Sequence, residues 1–92
     1  MTAPDAPTCV EATILRLLAE REAQASICPS EVARALGDDE AAWRALMPAV
    51  REAAAHLAQA RRIEVTQRHR RVRIEDAKGP VRLRRGERFD TP

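Results

Sequence analysis

The chain has 92 residues, a length that predicts a single domain with a thin hydrophobic core. Apolar residues make up 45% of it, but many of them are alanine, and the only large aromatic side chains are Trp43 and Phe89. The net charge is +2, and no apolar run approaches the roughly 18 residues that a membrane span needs. Length and hydropathy therefore argue against a multidomain or membrane-spanning protein.

The small net charge hides a polarity along the chain. Residues 1–60 carry five arginines against nine acidic residues, a balance of −4, whereas residues 61–92 carry eleven Arg or Lys against five acidic residues, a balance of +6. A basic end can create a strong local field even when the average charge is small. This asymmetry is the feature of the composition that points most directly to a function.

The N-terminal residues and the cysteines indicate the compartment. Residues 1–7 lack the basic and apolar regions of a signal peptide, and we expect them to form a disordered tail. Cys9 and Cys28 form no disulfide framework, which favours reduced thiols in a bacterial-type cytoplasm.

The first helix is predicted from Thr8, as its N-cap, to about Gln24. Its apolar residues recur with helical spacing and form one stripe: Val10, Ile14, Leu17 and Leu18.

A short second helix is predicted within Ile27–Gly37. Pro29 suits the first helical position, and Cys28 then becomes the N-cap, to which the Glu31 carboxylate can return a hydrogen bond. We expect Gly37 to end this helix in the left-handed conformation.

The third helix is predicted to begin after Asp38 and Asp39 and to continue to about Arg61. Pro48 interrupts it, so we expect either a kink or a break followed by a new helix. The apolar stripe stays in phase across the proline: Trp43, Leu46, Met47, Val50, Ala54 and Leu57.

From Ile63 onward the apolar period changes from 3.6 to 2, which predicts strands. Two alternating runs, one ending at Gln67 and one starting at Val72, indicate a β-hairpin with a basic tip. The tip contains no Gly or Asn for a tight turn, so we expect a loop of four or five residues. A third strand or an extended segment is predicted at 81–84, and residues 87–92 are expected to be a tail in which Phe89 packs against the domain.

The order of helix, short helix, long helix and hairpin predicts an α+β fold of the winged helix-turn-helix type over residues 8–86. The three helices would form the core, and the hairpin would be the wing.

Four segments together resemble a family of small uncharacterised bacterial proteins, a domain of unknown function similar to winged-helix domains. They are ICPSEVARAL, W-R-x-L-M-P-x-V-R from Trp43, R-I-E-V-T-Q at 62–67 and G-P-V-R-L-R-R-G at 79–86. The resemblance covers roughly residues 10–86 and implies a winged-helix fold with no established activity. Such proteins usually have Gly just before R-I, where this chain has Arg61.

The basic wing favours nucleic-acid binding, with DNA preferred over RNA. In a helix-turn-helix the second helix of the motif lies in the major groove, which here would bring Arg44 and Arg51 to the groove together. The predicted phosphate contacts of the wing are Arg68, Arg70, Arg71 and Arg73, with His69 beside them, and a further track could follow at Arg82, Arg84 and Arg85. Because the third helix is rich in alanine and poor in base-reading side chains, we expect backbone binding rather than sequence readout.

Other interpretations remain open. The arginines could be a solvated face paired with glutamates, and the fold could serve as a protein-interaction or dimerisation module. Cys28 could be a redox-sensitive thiol, but we interpret it as a small replacement for a threonine cap. We expect no metal site, because Cys9, Cys28, His56 and His69 lack metal-ligand spacing, and no enzymatic activity or cofactor, because no nucleophile–base pair or phosphate loop is recognisable.

Overall fold

Three helices and four strands make up the part of the chain that the structure describes. The structure is a computed structural model that describes the backbone of residues 6–90 and the side chains of residues 9–90. The helices are α1 (Ala6–Ala19), α2 (Pro29–Leu36) and α3 (Glu40–Gln59); the strands are β1 (Ser26–Ile27), β2 (Ile63–Gln67), β3 (Arg70–Arg71) and β4 (Arg82–Arg85). They form one antiparallel sheet in the order β1-β4-β2-β3. The predicted α+β class is confirmed.

The hydrophobic core lies between the three helices and the inner face of the sheet. Each helix contributes apolar residues from one stripe, and the strands contribute alternate residues, as their periods require. The largest fully buried side chains are Ile14, Leu18, Ile27, Val32, Val50, Ile63, Val65 and Leu83. Burial of these stripes is what positions the hairpin beside α3.

Helix α1 differs from its predicted range at both ends. It begins at Ala6, so Thr8 is not its N-cap, and residues 1–5 of the expected tail lie outside the described residues. It ends at Ala19 rather than near Gln24, because the apolar stripe stops at Leu18 and the chain then turns toward β1.

Helix α2 has the predicted start but not the predicted end. The Cys28 N–H donates to Glu31 Oε2 at 2.7 Å, which closes the expected capping contact. Gly37 has φ −102° and ψ 139°, so the predicted left-handed conformation is wrong. A Cβ at this position would lie 2.6 Å from the Trp43 backbone nitrogen, and glycine is needed because α3 passes so close.

Helix α3 continues through Pro48 as a single helix, so the predicted alternative of a break is wrong. A proline inside a helix costs about 3 kcal/mol. The buried stripe of Val50, Ala53, Ala54 and Leu57 follows Pro48 in phase with the half-buried residues before it, and this packing keeps the helix continuous.

The end of α3 is closed by Arg61 in the left-handed conformation, with φ 62°. The Arg61 N–H donates to the Ala58 carbonyl and the Arg62 N–H to the Leu57 carbonyl, each at 3.0 Å. These two bonds form a Schellman motif, in which glycine is the usual residue at the left-handed position. Arg61 therefore occupies the position at which the family resemblance leads one to expect glycine.

The hairpin after α3 differs from the prediction in two ways. Gln67 pairs with Arg70, so the tip is a two-residue turn rather than a loop of four or five residues. Its second strand is only Arg70–Arg71, and the chain then leaves the sheet. The predicted third strand is present as β4, which pairs with both β1 and β2. Phe89 packs against the core, as expected.

Candidate nucleic-acid interface

The hairpin tip, residues 68–70, presents three basic side chains in succession. Arg68 and His69 form the turn with φ values of 53° and 69°, the left-handed pair that a type I′ turn requires. This conformation costs residues with a Cβ roughly 1–2 kcal/mol each, which is why Asn-Gly is the usual sequence. Arg68, His69 and Arg70 are all exposed. The tip is thus a tight turn built from residues that such turns disfavour.

The four predicted phosphate-binding arginines differ in their partners. Within residues 9–90, Arg68 and Arg70 make no ion pair and no side-chain hydrogen bond. Arg71 lies 3.8 Å from Glu64, and Arg73 lies 3.3 Å from Glu75, with both arginine side chains 75% exposed. Exposed pairs of this kind contribute about 0–1 kcal/mol. Arg71 and Arg73 can therefore exchange their carboxylates for a phosphate at little cost.

Glu75 is the carboxylate most affected by this cluster. Its own backbone N–H and the Arg73 guanidinium hold the pKa of Glu75 below its usual range. It stays ionised beside Arg73 under neutral conditions, so the cluster around Arg73 is less basic than the tip.

The return arm, residues 72–81, is fixed to the rest of the domain. Gln67 Nε2 donates to the Lys78 carbonyl at 2.6 Å and to the Pro80 carbonyl at 3.1 Å, and Arg51 Nη2 donates to the Ala77 carbonyl at 3.3 Å. These bonds connect the arm to β2 and to α3. The segment that follows the tip is therefore held in place by one residue of β2 and one residue of α3.

The two α3 arginines predicted to face a groove lie in different surroundings. Arg44 is 67% exposed, but Glu40 Oε2 lies 3.0 Å from it and the Trp43 ring lies 5.7 Å from its guanidinium carbon. Arg51 is half-buried and is bound to the return arm. The structure does not present them as an equivalent exposed pair.

The β4 arginines, expected to extend the basic track, mostly have structural contacts. Arg82 donates to the Ser26 hydroxyl and carbonyl at 2.9 Å and to Cys28 Sγ at 2.8 Å. Arg85 donates to carbonyl oxygens at the end of α1, those of Leu18 and Arg21, at 3.1 and 2.9 Å. Only Arg84 lacks such contacts, and it lies 3.9 Å from Glu64.

One basic residue near these elements was not predicted. Arg34 on α2 is exposed, and its guanidinium carbon lies 4.7 Å from the centre of the Trp43 ring. With Arg44 on the same ring, it forms a stacked cluster between α2 and α3. No spacing rule links residues on either side of the Gly37 turn, so the sequence offered no signal for this contact.

A groove of about 740 Å³ lies between the second half of α3, β2 and the start of the return arm. Its floor includes Ala55, Ala58, Val65 and Val72. Its charged side chains are mostly paired with each other, as in the contact of 3.2 Å between Arg61 and Glu87. The groove is therefore mixed in character and much less basic than the tip.

No three His, Cys, Asp or Glu side chains among residues 9–90 come together so as to hold a metal ion. None of the helices within residues 6–90 is both long and apolar enough to cross a membrane.

Fold and surface together define a small α+β domain of three helices and a four-stranded antiparallel sheet, with four exposed arginines, Arg68, Arg70, Arg71 and Arg73, close together in sequence at one hairpin. The chain belongs to the family described as "Protein of unknown function (DUF3253)", which matches residues 7–86. The predicted membership of an uncharacterised family is thus confirmed. A comparison with curated proteins finds no match.

Proposed function

We propose that this protein is a winged helix-turn-helix domain that binds nucleic acid, DNA in preference to RNA, without enzymatic activity. The order of elements supports the fold assignment: α1, β1, α2, α3, β2 and β4 follow one another, and β4 lies between β1 and β2 in the sheet. In this assignment α2 and α3 are the helix-turn-helix, and residues 68–81 are the wing. The cytoplasmic location and the bacterial origin stay predictions.

The observation that carries the binding proposal is the composition of the hairpin tip. Arg68 and His69 occupy backbone conformations that favour Gly and Asn, and Arg68 and Arg70 lack acidic partners within residues 9–90. Backbone strain of this kind is concentrated at functional sites, where a side chain is needed despite its cost. Exposed, unpaired guanidinium groups are suited to phosphate, which they bind through two parallel hydrogen bonds.

Arg71 and Arg73 extend the proposed contact along the hairpin. The partners of Arg73, Glu75 and Asp76, are exposed; the partner of Arg71, Glu64, is half-buried but lies 3.8 Å away. Both arginines are themselves exposed, so these pairs are weak and a phosphate can replace them. We leave Arg51 outside the proposed contact because it holds the return arm, and Arg44 because Glu40 and Glu52 are exposed on the same side of α3 and would repel phosphates.

Fluorescence anisotropy of a labelled duplex, titrated with the protein at roughly 50 and 200 mM salt, tests this proposal. Each phosphate neutralised contributes about −0.9 to the slope of log K against log[salt], where K is the association constant. Changing Arg68 and Arg70 to Ala should therefore make that slope less negative by about 2. The matched control changes Arg16 and Arg88 to Ala, which removes the same charge from exposed positions away from the tip. An equal loss in the two variants would show that net charge alone drives binding and would overturn the proposal.

The alternative is a protein-interaction or dimerisation module. The groove beside β2 is the feature that favours it, because an apolar floor with paired charges around it is suited to a polypeptide better than to a polyanion. Absence of duplex binding at the lower salt, together with a dimer mass in sedimentation analysis, would favour this alternative.

A further inference from the structure

We infer that the protein recognises duplex DNA by the width of the minor groove, through Arg68 and Arg70, and that α3 stays outside the grooves. This inference rests on the proposed function and adds to it the class of nucleic acid that is bound. It separates this domain from helix-turn-helix proteins that read base edges with a helix.

The exposed face of α3 is poorly suited to a major groove. Its residues are Glu40, Ala41, Arg44, Ala45, Pro48, Glu52, His56 and Gln59. Both walls of a groove are lined with phosphates, which repel Glu40 and Glu52. The face carries two acidic side chains against one arginine: Arg44 lies 3.0 Å from Glu40, and His56 lies 2.8 Å from Glu11 on α1. Alanine offers no hydrogen bond to a base edge.

The tip has dimensions that suit the minor groove. Paired strands lie about 5 Å apart, and the minor groove of B-DNA is only about 6 Å wide, so the strands themselves cannot enter it. Long side chains from a two-residue turn can enter, and Arg68, His69 and Arg70 are exposed around that turn. In A-tracts the minor groove narrows and its negative potential rises, which attracts inserted arginine. A guanidinium is also more weakly hydrated than an ammonium, so it loses less on entering a narrow groove.

Other nucleic acids fit this surface less well. Single strands are bound by stacking bases on exposed aromatic rings. The only Phe, Tyr or Trp residues of the chain are Trp43 and Phe89; both are half-buried, and arginine guanidinium groups lie over both rings. In an RNA duplex the minor groove is wide and shallow, so it lacks the narrow negative channel.

The test compares the wild-type protein on four labelled duplexes of about 20 base pairs: one with an A-tract, one of alternating T and A, one rich in G and C, and an RNA duplex. We expect the A-tract to be bound at least about fivefold more tightly than the G·C-rich duplex, and netropsin, which occupies the minor groove, to displace the protein. Equal affinity for all the DNA duplexes would overturn this inference and leave the proposed function standing. No binding to any duplex would overturn both.

Two variants distinguish binding by insertion of arginine into the minor groove from binding by positive charge alone. Changing both Arg68 and Arg70 to Lys keeps the charge, so the salt slope should remain while the preference for the A-tract falls to about twofold or less. Ala45→Glu places another carboxylate on the exposed face of α3 and should change affinity less than twofold, because about 10 Å of salt solution screens distant charges. A tenfold loss in Ala45→Glu would show that α3 lies against the DNA and would overturn the inference.

Discussion

At the hairpin tip, Arg68 and Arg70 have no ionic partner within residues 9–90, whereas on β4 Arg82 and Arg85 use their donors on groups of β1 and α1. Both pairs belong to one basic stretch of the sequence. An arginine is therefore most available to a ligand where folding leaves its guanidinium without nearby carbonyl, hydroxyl or carboxylate acceptors. Arg82 and Arg85 on β4 hold the domain together, and the arginines at the tip remain available to a ligand.

The largest expected effect comes from removing a structural arginine. Arg85→Ala should lower the free energy of unfolding by about 2–3 kcal/mol, because hydrogen bonds from a charged donor to the end of α1 are lost. Urea denaturation measures the change. The control, Arg84→Ala, removes an exposed residue with one distant pair and should cost less than about 0.5 kcal/mol. Similar losses in both variants would contradict the structural role assigned to the hydrogen bonds of Arg85.

Relieving the backbone strain at the tip should raise the stability of the protein and lower its affinity for a duplex. Replacing Arg68 by Asn and His69 by Gly provides the sequence that a type I′ turn prefers, so the free energy of unfolding should rise by about 1–2 kcal/mol. The same change removes basic groups from the proposed contact, and duplex affinity should fall by about tenfold at roughly 100 mM salt. Thermal denaturation and anisotropy on the same samples measure both. A variant that loses stability would show that the wild-type turn is not strained.

A smaller effect is expected at Glu31, whose carboxylate accepts hydrogen bonds from the Cys28 N–H at 2.7 Å and from the Arg21 guanidinium at 2.8 Å. Burial raises the pKa of Glu31, but the Cys28 N–H and the Arg21 guanidinium outweigh it, so the pKa lies below its usual value of 4.5. A lowered pKa contributes stability that is complete above the unfolded-state value and disappears as pH falls through the folded-state value. Glu31→Gln should therefore cost about 1 kcal/mol at neutral pH, and this cost should shrink as the pH falls below 4.5 and through the lowered pKa of the folded state.

Urea titrations of Glu31→Gln and the wild type at several pH values test this. Glu22→Gln, at an exposed position, is the control and should leave the pH dependence unchanged. A difference between Glu31→Gln and the wild type that persists undiminished into acid would show that the capping contact does not depend on the charge.

The smallest effect concerns Arg61, an arginine that is both strained and paired. Arg61→Gly should raise the free energy of unfolding by about 0.5–1 kcal/mol, because glycine adopts a positive φ without strain and the exposed pair with Glu87 contributes little. Ala60→Gly, one residue earlier in a right-handed conformation, should instead cost about 0.5–1 kcal/mol. Thermal denaturation distinguishes the two signs, and a loss in both variants would contradict the assignment of strain to Arg61.

The sequence is sufficient to predict a structural feature where that feature depends on residues close together along the chain. The capping contact between Cys28 and Glu31 spans three residues, and the change of period at Ile63 marks the start of β2. The stripe of α3 was recognised because it repeats every turn. These features could be predicted because each follows from spacing alone.

Contacts between distant segments could not be predicted. Gly37 is required by the approach of Trp43, and Arg85 meets Leu18 across 67 residues. The two-residue tip was missed because turn rules call for Gly or Asn, and Arg68 with His69 breaks them. The sequence thus predicts the basic hairpin as the site. It does not predict which of the hairpin's arginines lack partners within the described residues.

The position of β4 in the sheet has a consequence for synthesis. β1 pairs with no strand other than β4 among the described residues, and β2 meets β1 only through it, although β4 is the last of the described strands to be made. The helices can begin to associate while translation continues, but the sheet cannot form until residues 82–85 have left the ribosome. Until then the backbone edges of β1 and β2 that pair with β4 are unpaired, and a nascent chain at this stage is the form most open to chaperones.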